Sequence, residues 1–185
     1  MSKNYNFNKI LVFKVNHSNN KKRSKYYNEQ IPIEWQLILM SDGSFTQNLN
    51  SLTNEQNKIH ILYKLYFTKL YRRNKIRETY MKSYNHNNLI FAESIWQNNK
   101  TNLLYLQKNK PIGRSLIESK IDIYKDIQEI YYGYSIYLKE IFQSDKAIWG
   151  RKYTLYFNHE PLITIKEFFS PQLIHFFESY QALIL

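Results

Sequence analysis

The sequence predicts an α+β fold built on an antiparallel sheet, and three observations carry that prediction. Runs with a two-residue hydrophobic period outnumber runs with a helical period. Short polar turns join most of the strand-like runs, and the chain has room for one domain. Its 185 residues are 43% hydrophobic and 17% aromatic, with 4 Gly and 4 Pro. A chain of this length buries roughly two-thirds of its unfolded surface on folding, enough for a sizeable core and an internal ligand site. Residues 1–185 therefore read as a single domain.

The first thirty residues read as a polar N-terminal segment, and the charge run Asn19-Asn20-Lys21-Lys22-Arg23-Ser24-Lys25 within it as a solvated loop. Pro32 opens a helical pattern through Ile33, Leu37, Ile38 and Met40. Ser41-Asp42-Gly43-Ser44 interrupts it before Phe45, Leu49 and Leu52 resume it, so a helix, a turn and a second helix are expected. From Lys58 the period becomes strand-like. A basic tip at Arg72-Arg73-Asn74-Lys75 leads to a strand over Ile76–Met81, and Asn85–Asn88 turns that strand into a partner over Leu89–Trp96. Leu103–Leu106 reads as helical, and Pro111 is well placed to start another helix over Ile112–Ile117. Ile121, Ile123 and Ile127 suggest a strand running through Tyr131 and Tyr132 to Gly133. Ile148–Phe157 and Leu162–Phe169 then flank the turn Asn158-His159-Glu160-Pro161 as a hairpin, and an apolar, helical tail follows Pro171.

Composition excludes several kinds of chemistry. The chain has no Cys, hence no disulfide, thiolate nucleophile or Cys-ligated metal. His17, His60, His86, His159 and His175 lack metal-ligand spacing, and no Gly-rich phosphate loop, dinucleotide fingerprint or nucleophile elbow is present. No apolar run approaches the ~18 residues a membrane helix needs, and Ile10–Phe13 is too short for a signal segment, so a soluble, unexported protein is expected. The formal charge of +11 raises the question of a nucleic-acid partner. Yet Ile, Asn, Lys, Tyr and Phe make up 90 of the residues while Ala numbers 3 and Val 2, the usage of an AT-rich genome such as that of a plastid or endosymbiont. Lys then rises with its codons, the basic residues are dispersed, and specific nucleic-acid binding is not expected. Tyr63, Tyr66 and Tyr71 beside Arg72 and Arg73 come nearest to a base-stacking platform.

Two of the ionisable residues inside strand runs are more informative than the rest, Arg77 after Ile76 and Glu167 between Ile165 and Phe168. Each is either the outward residue of an alternating strand or a buried charge that needs a partner or a ligand. Arg114 and Arg151 each follow a Gly that lets the backbone turn, and from pattern alone both read as solvated.

These residues fall in three of four segments that together resemble the chorismate lyase family. Trp149-Gly150-Arg151-Lys152, a hairpin turn, and Pro161–Pro171 with Glu167 shortly before Pro171 resemble its C-terminal signature. Asn109-Lys110-Pro111-Ile112-Gly113-Arg114 resembles its lid segment, Ile76-Arg77-Glu78 its L-R-E strand and Asp42-Gly43-Ser44-Phe45-Thr46 its helix turn. The four occur in the family's order and span roughly residues 31 to 171. Phe45 and Ile112 stand where a family member has Met and Leu, changes between apolar side chains, and Glu93-Ser94 stands where it has an Arg.

The resemblance implies a single antiparallel sheet of about six strands with helices packed on it and helical flaps over an internal site. The activity it implies is conversion of chorismate to 4-hydroxybenzoate and pyruvate, an early step of quinone biosynthesis, in the plastid stroma. It also implies a monomer with no metal or organic cofactor. Carried over, Arg77 binds a substrate carboxylate, Glu167 meets the ring hydroxyl, and Phe45 and Ile112 offer backbone amides to the ligand carboxylate. Arg77 and Glu167 are the expected catalytic pair. A noncatalytic binder of aromatic carboxylates with the same fold is the alternative. Sensor domains of that kind follow a DNA-binding helix-turn-helix, for which thirty polar residues leave no room.

Overall fold

The computed structural model describes residues 6–15, 30–43, 45–53, 58–65, 75–82, 88–96, 112–118, 120 and 122–177. Along the chain the elements are β1 (Asn8–Lys14), α1 (Ile33–Leu39), α2 (Phe45–Thr53), β2 (Lys58–Leu65), β3 (Lys75–Lys82) and β4 (Asn88–Trp96). They continue as α3 (Ile112–Glu118), β5 (Tyr124–Tyr134), α4 (Ile136–Phe142), β6 (Ile148–Phe157), β7 (Glu160–Phe169) and a 3-10 turn at Pro171–Ile174. The strands form one sheet in the order β1-β5-β6-β7-β4-β3-β2, every adjacent pair antiparallel. The class is α+β, as predicted.

Directly opposed residues in such a sheet share a face, so the register sorts the side chains. One face carries Met81, Ile90, Phe169 and Trp149 in one row across β3, β4, β7 and β6. These join Trp35, Ile38 and Leu39 of α1, Leu49 of α2 and Leu116 of α3 in the main core. Trp149 is its aromatic hub, with ring centroids 4.5 Å from Tyr132, 6.3 Å from Trp35 and 6.5 Å from Phe13. The opposite face buries Phe91, Tyr131, Ile148 and Phe168 beneath Leu138 and Phe142 of α4.

The sheet has seven strands rather than about six, because part of the N-terminal segment joins it. β1 pairs with β5, with Phe13 opposite Ile130. Phe13 is the one β1 residue that is buried. Four apolar residues in a polar segment give little strand signal, and their partner lies some 120 residues away. Gly133 permits the close approach, since a Cβ there would stand 2.1 Å from the Asn8 carbonyl oxygen.

Other elements shift in detail. β5 begins at Tyr124, after Ile121 and Ile123, and includes Ile127. The β6–β7 turn contains two residues, Asn158 and His159, both with positive φ (48° and 62°), the conformation that matches the twist of a tight hairpin. Glu160 and Pro161 already belong to β7, beside an irregularity at Leu155 and Tyr156. Between Tyr134 and β6 the chain forms α4, which the sequence reading left unassigned. Ser135 caps it by accepting from the Leu138 N–H, and Gln143 ends it in the left-handed conformation. The Leu103–Leu106 helix, the 19–25 charge run, Tyr66, Tyr71, Arg72 and Arg73 lie outside the described residues. So do the Tyr63 and Arg114 side chains and the tail beyond residue 177.

The glycines before the two arginines correct a further expectation. Gly150 lies within β6 and Gly113 within α3, and neither adopts positive φ, so neither makes a sharp turn. A Cβ at Gly150 would stand 2.3 Å from Tyr131 Cε2 and 2.8 Å from the Glu167 carbonyl oxygen, so the requirement there is space. Gly150→Ala is expected to lower stability by about 1–3 kcal/mol as an overpacking change. An unchanged urea midpoint would show that Tyr131 can move aside freely.

Candidate functional site

Arg77 lies on β3 opposite Ser94 of β4, Ser94 lies opposite Ile165 of β7, and Glu167 follows two residues later. Arg77 and Glu167 therefore project from the same face, the one covered by α1, α2 and α3. Two strand spacings across and two residues along separate their Cα atoms by about 12 Å. Arg77 is 3% exposed and the Glu167 side chain 12%. The reading of these residues as outward, solvated positions fails for both.

Arg151, the direct cross-strand neighbour of Glu167, is completely buried, contrary to the solvated expectation. Its Nε donates to Glu167 Oε2 at 2.7 Å. Its Nη1 donates to the carbonyls of Ile38, Leu39 and Ser41 at 3.0, 3.1 and 3.1 Å. A helix leaves its last carbonyls without intrahelical donors, and a seven-residue helix is unstable alone. Arg151 supplies these donors from the sheet and so fixes the end of α1. The Tyr153 hydroxyl donates to Glu167 Oε1 at 2.8 Å, and both carboxylate oxygens are thereby engaged. Burial raises the Glu167 pKa, but the charges of Arg151 and Lys125 and the two hydrogen bonds outweigh it, and the carboxyl stays below its ordinary range. Burial and the neighbouring carboxylate hold the Tyr153 hydroxyl well above its ordinary value, so it remains a donor.

Lys125 of β5 approaches from the other side. Its ammonium donates to the Ser41 carbonyl at 2.8 Å and lies 4.4 Å from the centre of the Tyr153 ring. Burial and the charge of Arg151 push its pKa down to about 8, with Glu167 and Asp42 acting in the opposite sense. The unfolded chain keeps this lysine protonated to about 10.5, so between pH 8 and 10 it binds more protons than the folded protein. Stability should therefore rise with pH across that window, by up to about 1.4 kcal/mol per unit. Lys125→Met should flatten this rise in urea titrations at pH 7.5, 8.5 and 9.5. A slope retained in the variant would assign the effect to another group.

Phe45 begins α2 and Ile112 begins α3, the two helices pack together, and Ile112 rests against the main core. Ser41 links this layer to the sheet, since its hydroxyl accepts from Asn48 of α2 at 2.7 Å while its carbonyl holds Arg151 and Lys125. At the position of the family's missing Arg, Ser94 is buried opposite Arg77. Glu93 faces the other side, where it accepts from Lys166 at 3.3 Å. Sequence reasoning missed Tyr153, Lys125 and the buried role of Arg151. The parity of β6 could have found the first and last, because Arg151 and Tyr153 share a face with Trp149. Nothing in the pattern marks Lys125. Among the described residues no group of three His, Asp or Glu could hold a metal ion, and no helix is long and apolar enough to cross a membrane.

The sheet face thus carries buried cations around one carboxylate and is roofed by short helices. The chain belongs to the Rv2949c-like family, described as chorismate pyruvate-lyase Rv2949c-like, whose pattern matches residues 39–177. It is 44% identical over 173 residues to the protein named "Uncharacterized protein ycf21" of Antithamnion sp., covering 92% of this chain and 94% of that one. The protein of the same name from Porphyra purpurea is 37% identical over 158 residues, covering 82% and 88%. Among solved structures, the gene product SA0254 of Staphylococcus aureus aligns with a TM-score of 0.46 at 10% identity, over 71% of this chain and 90% of that one.

Proposed function

We propose that this protein is a chorismate lyase, releasing 4-hydroxybenzoate and pyruvate from chorismate. The observation that carries the reading is the shared inward face of Arg77 and Glu167, their Cα atoms about 12 Å apart, in a chain of this family.

The substrate is a dianion, and aromatisation of its ring supplies much of the driving force. The protein has to hold a reactive conformer out of water and neutralise the carboxylates. In this reading Arg77 receives the ring carboxylate, for which a planar guanidinium offers two parallel donors, and the backbone N–H groups of Phe45 and Ile112 add uncharged donors. Glu167 accepts a hydrogen bond from the ring hydroxyl. Its carboxylate is held ionised by Arg151 and Tyr153, which suits an acceptor and makes it a weak base. That favours the intramolecular route: the C3–O ether bond breaks, the C4 hydrogen passes to the methylene carbon of the departing enolpyruvyl group, and the ring becomes aromatic. A plastid location rests on the AT-rich usage and on relatives from red algae and a glaucophyte.

The test is absorbance of 4-hydroxybenzoate formed from chorismate by purified protein, with pyruvate measured in parallel. Equimolar products support the lyase. No turnover, together with thermal stabilisation by 4-hydroxybenzoate beyond that by an unrelated monocarboxylate, identifies a noncatalytic binder. Absence of both rejects a site for this ligand.

A further inference from the structure

The buried cluster around Ser41 contains two cations and one carboxylate. Arg151 pairs with Glu167 through Nε and holds three carbonyls through Nη1. Lys125 has no carboxylate within ion-pair distance among the described residues, and its partners are a carbonyl oxygen and an aromatic face. The groups that face it are Ser41 and Asp42 from the α1–α2 turn, Arg151 and Tyr153 from β6, and Glu167 from β7. Asp42 is exposed at the rim, so its charge is screened, whereas Arg151 beside Lys125 is fully buried. A largely buried ammonium held by one neutral acceptor is costly unless an anion completes its surroundings.

Position agrees with charge. Glu167 of β7 lies between Arg77, two strands away on β3, and Lys125, two strands away on β5. Lys125 opposes Leu155 of β6, and by strand parity Leu155 shares the inner face with Tyr153 and Arg151. Its ammonium reaches the Tyr153 ring, whose hydroxyl touches Glu167, and so lies on the Glu167 side of this face, away from Arg77.

We propose that Lys125 is a second anion-binding residue, which receives the carboxylate carried beside the ring hydroxyl of a dianionic ligand while Arg77 receives the carboxylate at the far end. This rests on the lyase reading for the ligand's orientation and deepens it by assigning the enolpyruvyl carboxylate to Lys125. It also gives a basis for product release. Once the enolpyruvyl group departs, the remaining 4-hydroxybenzoate has nothing to offer Lys125, which returns to the Ser41 carbonyl.

The test compares a dianion with a monoanion in the full-length protein. Binding of 4-hydroxyisophthalate, which carries a carboxylate beside the hydroxyl, and of 4-hydroxybenzoate is measured by calorimetry for the wild type, Lys125→Met, Lys125→Gln and Lys125→Arg. Met and Gln should weaken dianion binding about tenfold or more, as expected when a charge-assisted hydrogen bond is lost, and leave the monoanion within about twofold. Arg should retain most of the dianion affinity. At pH 8.5, dianion binding to the wild type should take up protons, read from buffers of different ionisation enthalpy, and the Met variant should show no such uptake. Equal losses for both ligands, or no loss for either, would overturn the assignment. If chorismate is not turned over but this selectivity holds, the lyase reading fails and the anion site stands. If turnover is normal and the Met variant binds the dianion like the wild type, Lys125 is not the site and the lyase reading stands.

Discussion

Arg151→Met should cost about 3–5 kcal/mol of stability, the loss expected when one partner of a buried ion pair is removed. The substitution strands Glu167 with only the Tyr153 hydroxyl and withdraws the donor from three carbonyls at the end of α1. With Arg151 gone, burial dominates at Glu167 and its pKa rises above the unfolded value. The variant's deficit should then be full at pH 7 and shrink as the pH falls through the raised pKa towards 5, where the carboxyl protonates. In the wild type the lowered Glu167 pKa acts the other way, and its contribution fades as acid protonates it. Arg151→Met/Glu167→Gln should recover part of the loss at pH 7, because no charge is left unpaired, but not the part due to the α1 carbonyls. Urea midpoints at pH 5 and 7 for both variants decide it. A loss below about 1 kcal/mol at both pH values would mean that water reaches this cluster freely.

The second large effect concerns the pair expected to hold the ligand. Arg77→Ala should weaken both chorismate and 4-hydroxybenzoate by roughly 2 to 5 kcal/mol, as for a buried charge partner, and Arg77→Lys should restore little because one ammonium does not reproduce a planar two-point contact. Glu167→Gln keeps the size and one acceptor oxygen but removes the charge that Arg151 and Tyr153 address. If Glu167 moves the proton, turnover should fall by about 10²-fold or more with product affinity largely kept. If it only accepts from the ring hydroxyl, the fall should be smaller and KM should rise with it. The thermal midpoint of each variant separates these effects from the Arg151 pairing. Unchanged ligand binding in both Arg77→Ala and Glu167→Ala would place the site elsewhere in the molecule.

Legibility differed from residue to residue, for identifiable reasons. The β6–β7 hairpin was readable because a turn rich in polar residues separates two apolar runs, whereas β1 was hidden because a strand that buries one side chain leaves almost no pattern. Arg77 and Glu167 could be singled out because a charge inside an apolar run is unusual. Which way they face depends on register, and register is set by partners some 17 to 75 residues away. Arg151 was misjudged for the same reason, since its acceptors are carbonyls of a helix more than a hundred residues earlier in the chain.

By itself the sequence determined the class of fold, the order of its main strands and helices, the absence of cysteine chemistry, and the two ionisable positions worth testing. Each of those follows from local periodicity or composition. Tertiary structure alone decided that Arg77 and Glu167 share one buried face, that Arg151 ties Glu167 to the end of α1, and that Lys125 enters the same cluster. These depend on long-range pairing, and it is burial, where charges are weakly screened, that turns such pairing into chemistry.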